Sequence, residues 1–369
     1  MRKIRNFLDY VKYFNLIRER QNIGIVKSLT NKPKNNNYTK KFWIEHFGCE
    51  VTPFWHNVFN NYCGLCDHRW IPDNVWLRRI IPFFNHQAYK FAYKDKNLTE
   101  IFLKNLSSVV MPKTILKRMH GNYYDEKHLI VQPKTAFNLI KDFDSDLIIK
   151  KSDTDDGMGI KLLNIKNNLI YFGRKEYTFE ELEKEYGNNF IVQEKVKQHR
   201  QLAAPHHSSL NTIRVLTFRW NGKILYLLAF LRIGVDNKIT DNASTGGICC
   251  GINAEGILNH VGVDMFGNKY REHPTSGYVF NKRNQIPFFD KVIKCAKEIH
   301  KDIYHFDLIS WDFAIDCNGR IILLEINYRG ASWIYQLACE KPIFGNLTVD
   351  VLNRIKKKHS FLDKFLYKM

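Results

Sequence analysis

Two acidic side chains near the C-terminus are predicted to meet in a β-hairpin. The stretch WDFAIDCNGRIILLEINYRG (311–330) contains Asn-Gly, the preferred pair for a two-residue hairpin loop. With Asn318 and Gly319 as that loop, Asp312 falls directly opposite Glu325. Directly opposed like charges destabilise a sheet, so this arrangement calls for a compensating cation.

An amide extends the acidic pair into a candidate metal site. Asn327 follows Glu325 by two residues and therefore shares its face of the sheet. Two carboxylates and an amide are hard oxygen ligands that suit magnesium. The alternatives are a solvated sheet face, or an ion pair between one acid and Arg329. The opposite face is predicted to be core, formed by Trp311, Phe313, Ile315, Ile322, Leu324 and Ile326.

A glycine-containing loop follows a predicted strand that ends in a lysine. Lys150 closes the strand DLIIK, and Gly157 and Gly159 precede the next strand, IKLLNI. Glycines let the backbone approach phosphate oxygens, and a lysine supplies a point charge. No G-K-[ST] and no helix follow, so this is not a P-loop. An ordinary polar turn is the alternative, and the aspartates in the loop favour it.

Two arginines lie in strands whose neighbours are apolar. Arg214 belongs to NTIRVLTF and Arg232 to LRIG, and a polar turn containing Asn242 follows. An arginine in an apolar strand needs an anionic partner. That partner is either an acid of the hairpin or a phosphate or acyl phosphate of a ligand.

A CxxC pair raises the question of zinc. Cys63 and Cys66 have the right spacing, and Cys49, His56 and His68 are near in sequence. A structural zinc site needs a second pair, which is absent, so free thiols are favoured.

Composition narrows the class of protein. The chain has 369 residues, 44% of them hydrophobic, enough for two or three subdomains with their own cores. Its net charge of +19 favours an anionic partner such as nucleic acid, acidic lipid or acidic glycan. Eight cysteines without framework spacing, no signal-peptide pattern and no membrane span predict a cytoplasmic protein.

The predicted elements alternate between sheet and helix. Residues 1–30 have helical spacing with a basic face, and the helix either packs on the protein or lies on a membrane surface. Residues 40–110 are aromatic and mostly helical in pattern. Thr178 and Glu181 form a capping box for a helix that Gly187 closes. Strands dominate residues 211–330, which place the candidate residues on or beside a sheet.

In this order the motifs resemble the ATP-grasp superfamily, and are most similar to its sugar-transfer-associated branch, found with capsule and surface-polysaccharide enzymes. The resemblance covers roughly residues 68 to 345, and the ordered set is specific although each motif alone is weak. It implies an α/β (α+β) fold with two lobes that grip ATP. The matching motifs are IPDNVWLRRIIPFFN, AYKDKN, MPKTI, LIIKKSDTDDGMGI, VQEKVKQH, SLNTIRVLTF, LRIG, DNASTGG, WDFAID and LLEIN.

The resemblance implies a role for each candidate residue. Lysines would hold the nucleotide phosphates, the glycine loop would cover them, and a hinge strand would bind adenine. Two arginines and an asparagine would face the transferred phosphate and the acyl group. Acids and an amide would bind one or two Mg²⁺ ions. In that order these residues are Lys96 and Lys150; Gly157 and Gly159; Glu194, Lys195 and Val196; Arg214, Arg232 and Asn242; and Asp312, Glu325 and Asn327.

The implied activity is that of a carboxylate-amine ligase that forms an acyl phosphate. Expected substrates are an anionic glycan or a sugar-nucleotide or lipid-linked precursor, with an amino acid or another amine, and peripheral membrane contact is left open. A kinase acting on a hydroxyl and a non-catalytic module that binds a polyanion are the alternatives; nucleic-acid motifs are not evident. The predicted divisions are a helical region (1–110), a small lobe (111–196), a large lobe (197–350) and a basic C-terminal helix (351–369).

Overall fold

The structure is a computed structural model that describes residues 37–103, 109–154, 159–281 and 283–356. The helix predicted over 1–30, the basic C-terminal residues from 357 onward and Gly157 lie outside these ranges. Within them, no helix combines the length and the apolar character needed to cross a membrane.

The first part of the described chain is helical, as its aromatic spacing predicts. Trp43, Trp70 and Trp76 are almost fully buried there. The elements are α1 (Asn37–Phe47), α2 (Phe54–Cys63), α3 (Asp73–Val75), a π-helical turn (Trp76–Ile80), α4 (Ile81–Phe84), a 3-10 turn (Gln87–Tyr89), α5 (Lys90–Lys94) and α6 (Lys96–Phe102).

An eight-stranded antiparallel sheet follows. Its elements are β1 (Thr114–Met119), β2 (Asn122–Tyr124), β3 (Ile130–Val131), α7 (Pro133–Lys141), β4 (Leu147–Lys151), β5 (Lys161–Lys166), β6 (Leu169–Phe172), β7 (Lys175–Tyr177), α8 (Phe179–Tyr186) and β8 (Phe190–Glu194). The strands pair in the order β3-β2-β1-β8-β4-β5-β6-β7. The predicted capping box is confirmed: Thr178 Oγ1 accepts from Glu181 N–H, and the Glu181 carboxylate accepts from Thr178 N–H.

A seven-stranded antiparallel sheet completes the fold. Its elements are α9 (Arg200–Ala203), β9 (Thr212–Trp220), β10 (Lys223–Ile233), a 3-10 turn (Ala243–Thr245), β11 (Ile248–Ile252), β12 (Leu258–Val263), β13 (Lys269–Tyr270), α10 (Phe289–Lys301), β14 (Leu308–Ile315), β15 (Ile321–Asn327), α11 (Ser332–Cys339), a 3-10 turn (Gly345–Leu347) and α12 (Thr348–Ile355). The order is β13-β12-β11-β10-β9-β14-β15. Strands β10, β9 and β14 lie side by side within this sheet, and both faces are covered along β14, most of β9 and the second half of β10.

Three clusters of buried side chains hold these layers together. One joins the N-terminal helices, α11 and α12 to one face of the seven-stranded sheet. A second joins α10 to its other face, and a third joins α7 and α8 to the eight-stranded sheet. The N-terminal helices therefore share a core with the large sheet. The predicted domain boundaries stay predictions.

The turn between β14 and β15 is one residue longer than predicted. Its closing bond runs from Asp316 N–H to the Arg320 carbonyl, 3.1 Å, so three residues form the loop. The Asp316 carboxylate accepts from the N–H groups of Asn318 (3.0 Å) and Arg320 (2.8 Å), and this bonding stabilises the wider loop. Gly319 takes the left-handed conformation, with φ +77°.

A bulge in β15 compensates for the longer turn. Near the turn the pairing is shifted by one residue from the predicted register, so that Phe313 pairs with Leu323 and not with Leu324. The extra residue, Leu324, then restores the predicted pairing of Asp312 with Glu325. The prediction was right about the acids and wrong about Leu324, because Leu323 takes its place in the core.

We expect Gly319→Ala to destabilise the protein more than Gly173→Ala does. Both glycines have positive φ, +77° and +65°, so an alanine costs about 1–2 kcal/mol of backbone strain at either position. Only at Gly319 would the new methyl also meet a neighbour, Phe288 Cε2 at 2.8 Å, which adds roughly 1 kcal/mol. Urea unfolding of the two variants measures the difference, and equal losses would contradict the close packing of Phe288 on the turn.

Candidate active site in the cleft between the two sheets

A cavity of about 470 Å³ lies between the eight-stranded and seven-stranded sheets. That volume is typical of small-molecule sites, which concentrate at junctions between layers or domains. Most of the residues singled out from the sequence line it: Lys96, Lys150, Glu194, Lys195, Val196, Arg232, Asn242, Asp312 and Glu325.

Apolar side chains from both sheets contribute to the lining of the cavity, and we call them its apolar wall. Ile148 and Leu162 come from β4 and β5, and Ile160 lies just before β5. Leu324 comes from the opposite sheet, where the bulge in β15 turns it into the cavity. This space suits a flat, apolar ring.

The chain segment that follows β8 offers backbone groups beside that wall. The N–H groups of Glu194 and Lys195 already donate to carbonyls, those of Lys113 and Asp146, each at 2.8 Å. In the described part of the chain, no residue bonds to the N–H or the carbonyl of Val196, which lines the cavity. The predicted role of Glu194, Lys195 and Val196 in binding adenine stays a prediction.

Two lysines lie close together in the cleft. Lys96 opens α6, where Asp95 caps the helix by accepting from Asn97 N–H at 2.9 Å. Its ammonium lies 2.7 Å from the Thr154 carbonyl and 3.0 Å from Glu325 Oε1. It therefore links the loop after β4 to the opposite sheet.

The surroundings of the second lysine, Lys150, lower its pKa. Burial, and then the charge of Lys96, lower the pKa of Lys150 to about 8, against the smaller opposing effect of Glu325. Near neutral pH its ammonium is therefore charged but easily deprotonated. Such lowered lysine pKa values are typical of functional clefts.

Asp312 is held by two arginines. Arg214 donates to both of its oxygens at 2.6 Å, and Arg232 Nη1 lies 3.0 Å from Oδ2. Burial alone would raise the pKa of Asp312, but the two guanidinium groups outweigh it and hold the pKa below its usual range. The internal ion pair, one of the two alternatives for Arg214, is present; Arg214 itself does not line the cavity.

The predicted metal ligands share one face of the sheet, but their carboxylates are paired with cations. Asn327 Nδ2 lies 3.2 Å from Asp312 Oδ2, while Glu325 turns to Lys96. Among the described residues, no group of three or more His, Cys, Asp or Glu side chains could hold a metal ion. Two carboxylates and an amide oxygen still form a donor set that suits Mg²⁺. The metal role of these three residues stays a prediction.

Asp241 is a member of this cluster that sequence reasoning missed. Its carboxylate lies 3.0 Å from Arg232 Nη2 and accepts from the N–H of Thr212 at 3.0 Å and from its hydroxyl. Burial raises its pKa. Arg232 also donates to Asn242 Oδ1, so it bridges two carboxylates and an amide. The available signal was the acid that directly precedes Asn242 in DNASTGG.

The glycine loop is only partly described. Gly159 has φ +79° and its carbonyl accepts from Tyr186 Oη at 2.8 Å, outside the cavity wall. Gly157 lies outside the described residues. The covering role of both glycines stays a prediction.

The CxxC pair lies in the helical region and not among the residues of the cavity wall. Cys63 is half-buried, and burial raises the pKa of its thiol to about 12, whereas Cys66 is exposed. Both are free thiols, and Cys49 is a buried one. His56 accepts from Trp43 Nε1 at 3.0 Å, a contact within the aromatic core.

Comparison with known proteins identifies a family. The model of a family described as sugar-transfer associated ATP-grasp matches residues 77–351. A search of curated proteins found no match.

Several solved structures are similar at low identity. The ATP-grasp ligase PsnB with minimal precursor, Mg and ADP is 11% identical, with 72% of this chain and 60% of that chain covered and a TM-score of 0.41. N5-carboxyaminoimidazole synthetase from Staphylococcus aureus with ADP is 12% identical, with 72% and 53% covered and a TM-score of 0.39. D-alanyl-alanine synthetase A from Vibrio cholerae is 11% identical, with 71% and 65% covered and a TM-score of 0.38. The chain therefore spans less than two thirds of each.

We expect two substitutions to shift the pKa of Lys150 in opposite directions. Lys96→Met removes a neighbouring positive charge and raises the pKa from about 8. Glu325→Gln removes a negative charge and lowers it. Titration of ¹³C-labelled lysine side chains by NMR measures both. A wild-type value near that of a free lysine, or shifts of the same sign, would contradict the arrangement.

Proposed function

The chain belongs to the sugar-transfer associated ATP-grasp family, and on that premise we propose that it is an ATP- and magnesium-dependent carboxylate-amine ligase. The observation that carries the proposal is the charge arrangement of the cleft. Lys96, Lys150, Asp312 and Glu325 line one cavity together with apolar side chains, and Lys96 contacts Glu325 directly. A nucleotide has the matching parts, because its base is flat and its phosphates attract both lysines and a divalent cation.

The reaction uses ATP to make a carboxylate reactive towards an amine. A carboxylate oxygen of the first substrate attacks the γ-phosphorus, the bond from that phosphorus to the bridging oxygen breaks, and ADP leaves. The amine nitrogen then attacks the acyl carbon, phosphate leaves, and the proton lost from nitrogen passes to solvent. The products are an amide, ADP and phosphate.

Different side chains of the cleft would bind the adenine and the phosphates of ATP. Ile148, Leu162 and Leu324 would enclose adenine, with Val196 and the adjacent Glu194 and Lys195 at its edge. Lys96 and Lys150 would hold the phosphates as point charges.

The opposite side of the cleft would carry the metal and the acyl group. Magnesium, held by Asp312, Glu325 and Asn327, would neutralise phosphate charge when bound. Arg232 and Asn242 line the cavity, where they would face the transferred phosphate and the acyl group. Arg214 lies behind Asp312 and acts as a positioning residue.

The substrate is an anionic cell-surface polysaccharide or its sugar precursor. The description of the family associates it with sugar transfer. The net charge of +19 supports an anionic substrate, because an excess of cations raises its local concentration. A uronic acid would supply the carboxylate and an amino acid or amino sugar the amine, or the amino acid would supply the carboxylate.

We expect Glu325→Ala to abolish ADP formation in a protein that remains folded. Glu325 is only partly buried and, among the described residues, its one ion-pair partner is Lys96. Removing the carboxylate of Asp312 would instead leave the guanidinium group of Arg214 without its carboxylate partner, and Arg232 with Asp241 alone. The matched control is Glu298→Ala, which breaks the exposed pair with Lys301, since neither residue lines the cavity. ADP release by Glu325→Ala at the wild-type rate would overturn the proposal.

We expect the product to be a condensation product and not a phosphate ester. Wild-type protein incubated with ATP, Mg²⁺, amino acids and uronic-acid sugars would give a mass equal to the two substrates less one water. Mass spectrometry with Glu325→Ala as the blank measures it. A substrate that gains phosphate instead would identify a kinase, and binding without nucleotide turnover, steeply weakened by salt, would identify a polyanion-binding module.

A further inference from the structure

An ion pair joins the two sheets across the cavity. The ammonium of Lys96 lies 3.0 Å from Glu325 Oε1, and the two side chains are 11% and 25% exposed. Both residues line the cavity. Partial shielding from water makes this pair stronger than a fully exposed one, yet a ligand in the cavity can still reach it. We call this contact the cleft ion pair.

Lys96 is anchored to the eight-stranded sheet. Its N–H donates to the carbonyl of Ser152, just after β4, at 2.9 Å, and its ammonium donates to the Thr154 carbonyl at 2.7 Å. One residue further along α6, Asn97 Nδ2 donates to the carbonyl of Arg118 in β1 at 3.0 Å. The ammonium therefore reaches the opposite sheet from a helix that is bonded to the eight-stranded one.

A buried ion pair fixes the same helix. Lys117 of β1 is fully buried, and its ammonium lies 2.5 Å from Glu100 Oε2 of α6. The hydroxyl of Thr114 donates to the other oxygen of Glu100. Loss of one partner of a buried pair is costly, so α6 keeps its place on the eight-stranded sheet. Breaking the cleft ion pair therefore changes a contact between the two sheets and leaves this helix where it is.

Glu325 is held by the seven-stranded sheet. It pairs with Asp312 in the ladder between β15 and β14, and Asp312 is already neutralised by Arg214 and Arg232. Among the described residues, the one ion-pair partner of Glu325 is Lys96. A carboxylate that lies beside another carboxylate benefits from a cation, and Lys96 supplies it.

Two ligands of opposite charge would each need one member of this pair. In the proposed function, nucleotide phosphates bind Lys96 and a divalent cation binds Glu325. A phosphate alone would leave Glu325 unpaired, and a cation alone would leave Lys96 unpaired. When both bind, each side chain exchanges one partner for another. An uncompensated charge in a partly shielded site costs free energy, so only the joint exchange avoids that cost.

We propose that the cleft ion pair is a latch that weakens the binding of a nucleotide or a divalent cation alone and opens when both bind together. Each ligand then raises the affinity for the other, and thermodynamic linkage makes the two effects equal. The inference rests on the proposed function, because that function assigns the phosphates to Lys96 and the cation to Glu325. It adds a contact within the protein that opposes binding of either ligand alone.

Metal binding without nucleotide is the first test. Mn²⁺, which accepts the same oxygen ligands as Mg²⁺, is titrated into the full chain and followed by electron paramagnetic resonance. Lys96→Met frees Glu325, so we expect Mn²⁺ to bind about fivefold more tightly than to the wild type. The matched control is Lys150→Met, which removes a positive charge from the same cavity but, within the described ranges, breaks no ion pair. There we expect a gain of about twofold at most.

Nucleotide binding without metal is the second test. ADP is titrated in the presence of EDTA and followed by calorimetry. Glu325→Gln frees Lys96, so we expect ADP to bind about fivefold more tightly than to the wild type. The matched control is Glu194→Gln, which removes a carboxylate that lines the cavity and has no ion-pair partner in the part of the chain that the structure describes. There too we expect a gain of about twofold at most.

Failure of the latch and failure of the ligase give different results. Equal gains in a test variant and its control would reduce the effect to net charge and overturn the latch. So would Mn²⁺ binding to Glu325→Gln at wild-type affinity. ADP formation by a wild type whose variants show no gains would leave the ligase standing without the latch. Gains in both variants without ADP formation would leave the latch standing without the ligase.

A second pair of variants guards against misfolding. Thermal unfolding shows whether each variant is folded, and Lys96→Gln and Glu325→Ala replace a variant that is not. These substitutions remove the same two charges, so they should give the same gains in affinity for Mn²⁺ and for ADP. The absence of a gain in the folded replacement would overturn the latch.

Discussion

The burial of the Asp312 carboxylate is the constraint on which the rest of the cleft depends. A carboxylate this far from water persists only when cations and hydrogen-bond donors surround it, and Arg214 and Arg232 meet that need. These three residues come from three adjacent strands, β14, β9 and β10. Their pairing fixes the relative position of the strands at the point where the cavity opens. Asp241 then holds Arg232 from the other side, so the cluster is anchored at both ends.

The two sheets meet through a second ion pair of a different character. Lys96 joins Glu325 of the large sheet to the Thr154 carbonyl of the small one, and both side chains border the cavity. Because this pair is reachable from the cavity, a bound anion or cation would compete with it. The buried cluster around Arg214 and Arg232 gives the site rigidity. The ion pair between Lys96 and Glu325 is a contact that a bound ligand can replace.

The sequence correctly predicted the elements that depend on local residue patterns. Alternating apolar residues indicated the strands, Thr178 and Glu181 indicated a helix start, and Asn-Gly indicated a hairpin. Pattern did not predict the contacts made between distant segments, such as Asp241 with Arg232 or Lys96 with Glu325. Those contacts depend on which charged groups are left without water after folding, and no spacing rule contains that information.

Residue patterns also did not predict two features of the β14–β15 hairpin, its wider loop and its bulge. The Asp316 carboxylate widens the hairpin loop, and the bulge at Leu324 follows from that extra residue. The general preference of Asn-Gly for two-residue loops takes no account of the Asp316 side chain, which accepts hydrogen bonds from the N–H groups of Asn318 and Arg320.

The bulge has a consequence for how this hairpin can change in evolution. Leu324 is the extra residue of the bulge and has no partner in β14, because Phe313 pairs with Leu323 and Asp312 with Glu325. Deletion of Leu324 alone would therefore leave Glu325 opposite Asp312 and Ile326 opposite Trp311. The acid pair can thus outlast the bulge, and a related chain that lacked this residue would lose the apolar side chain that Leu324 adds to the cavity lining.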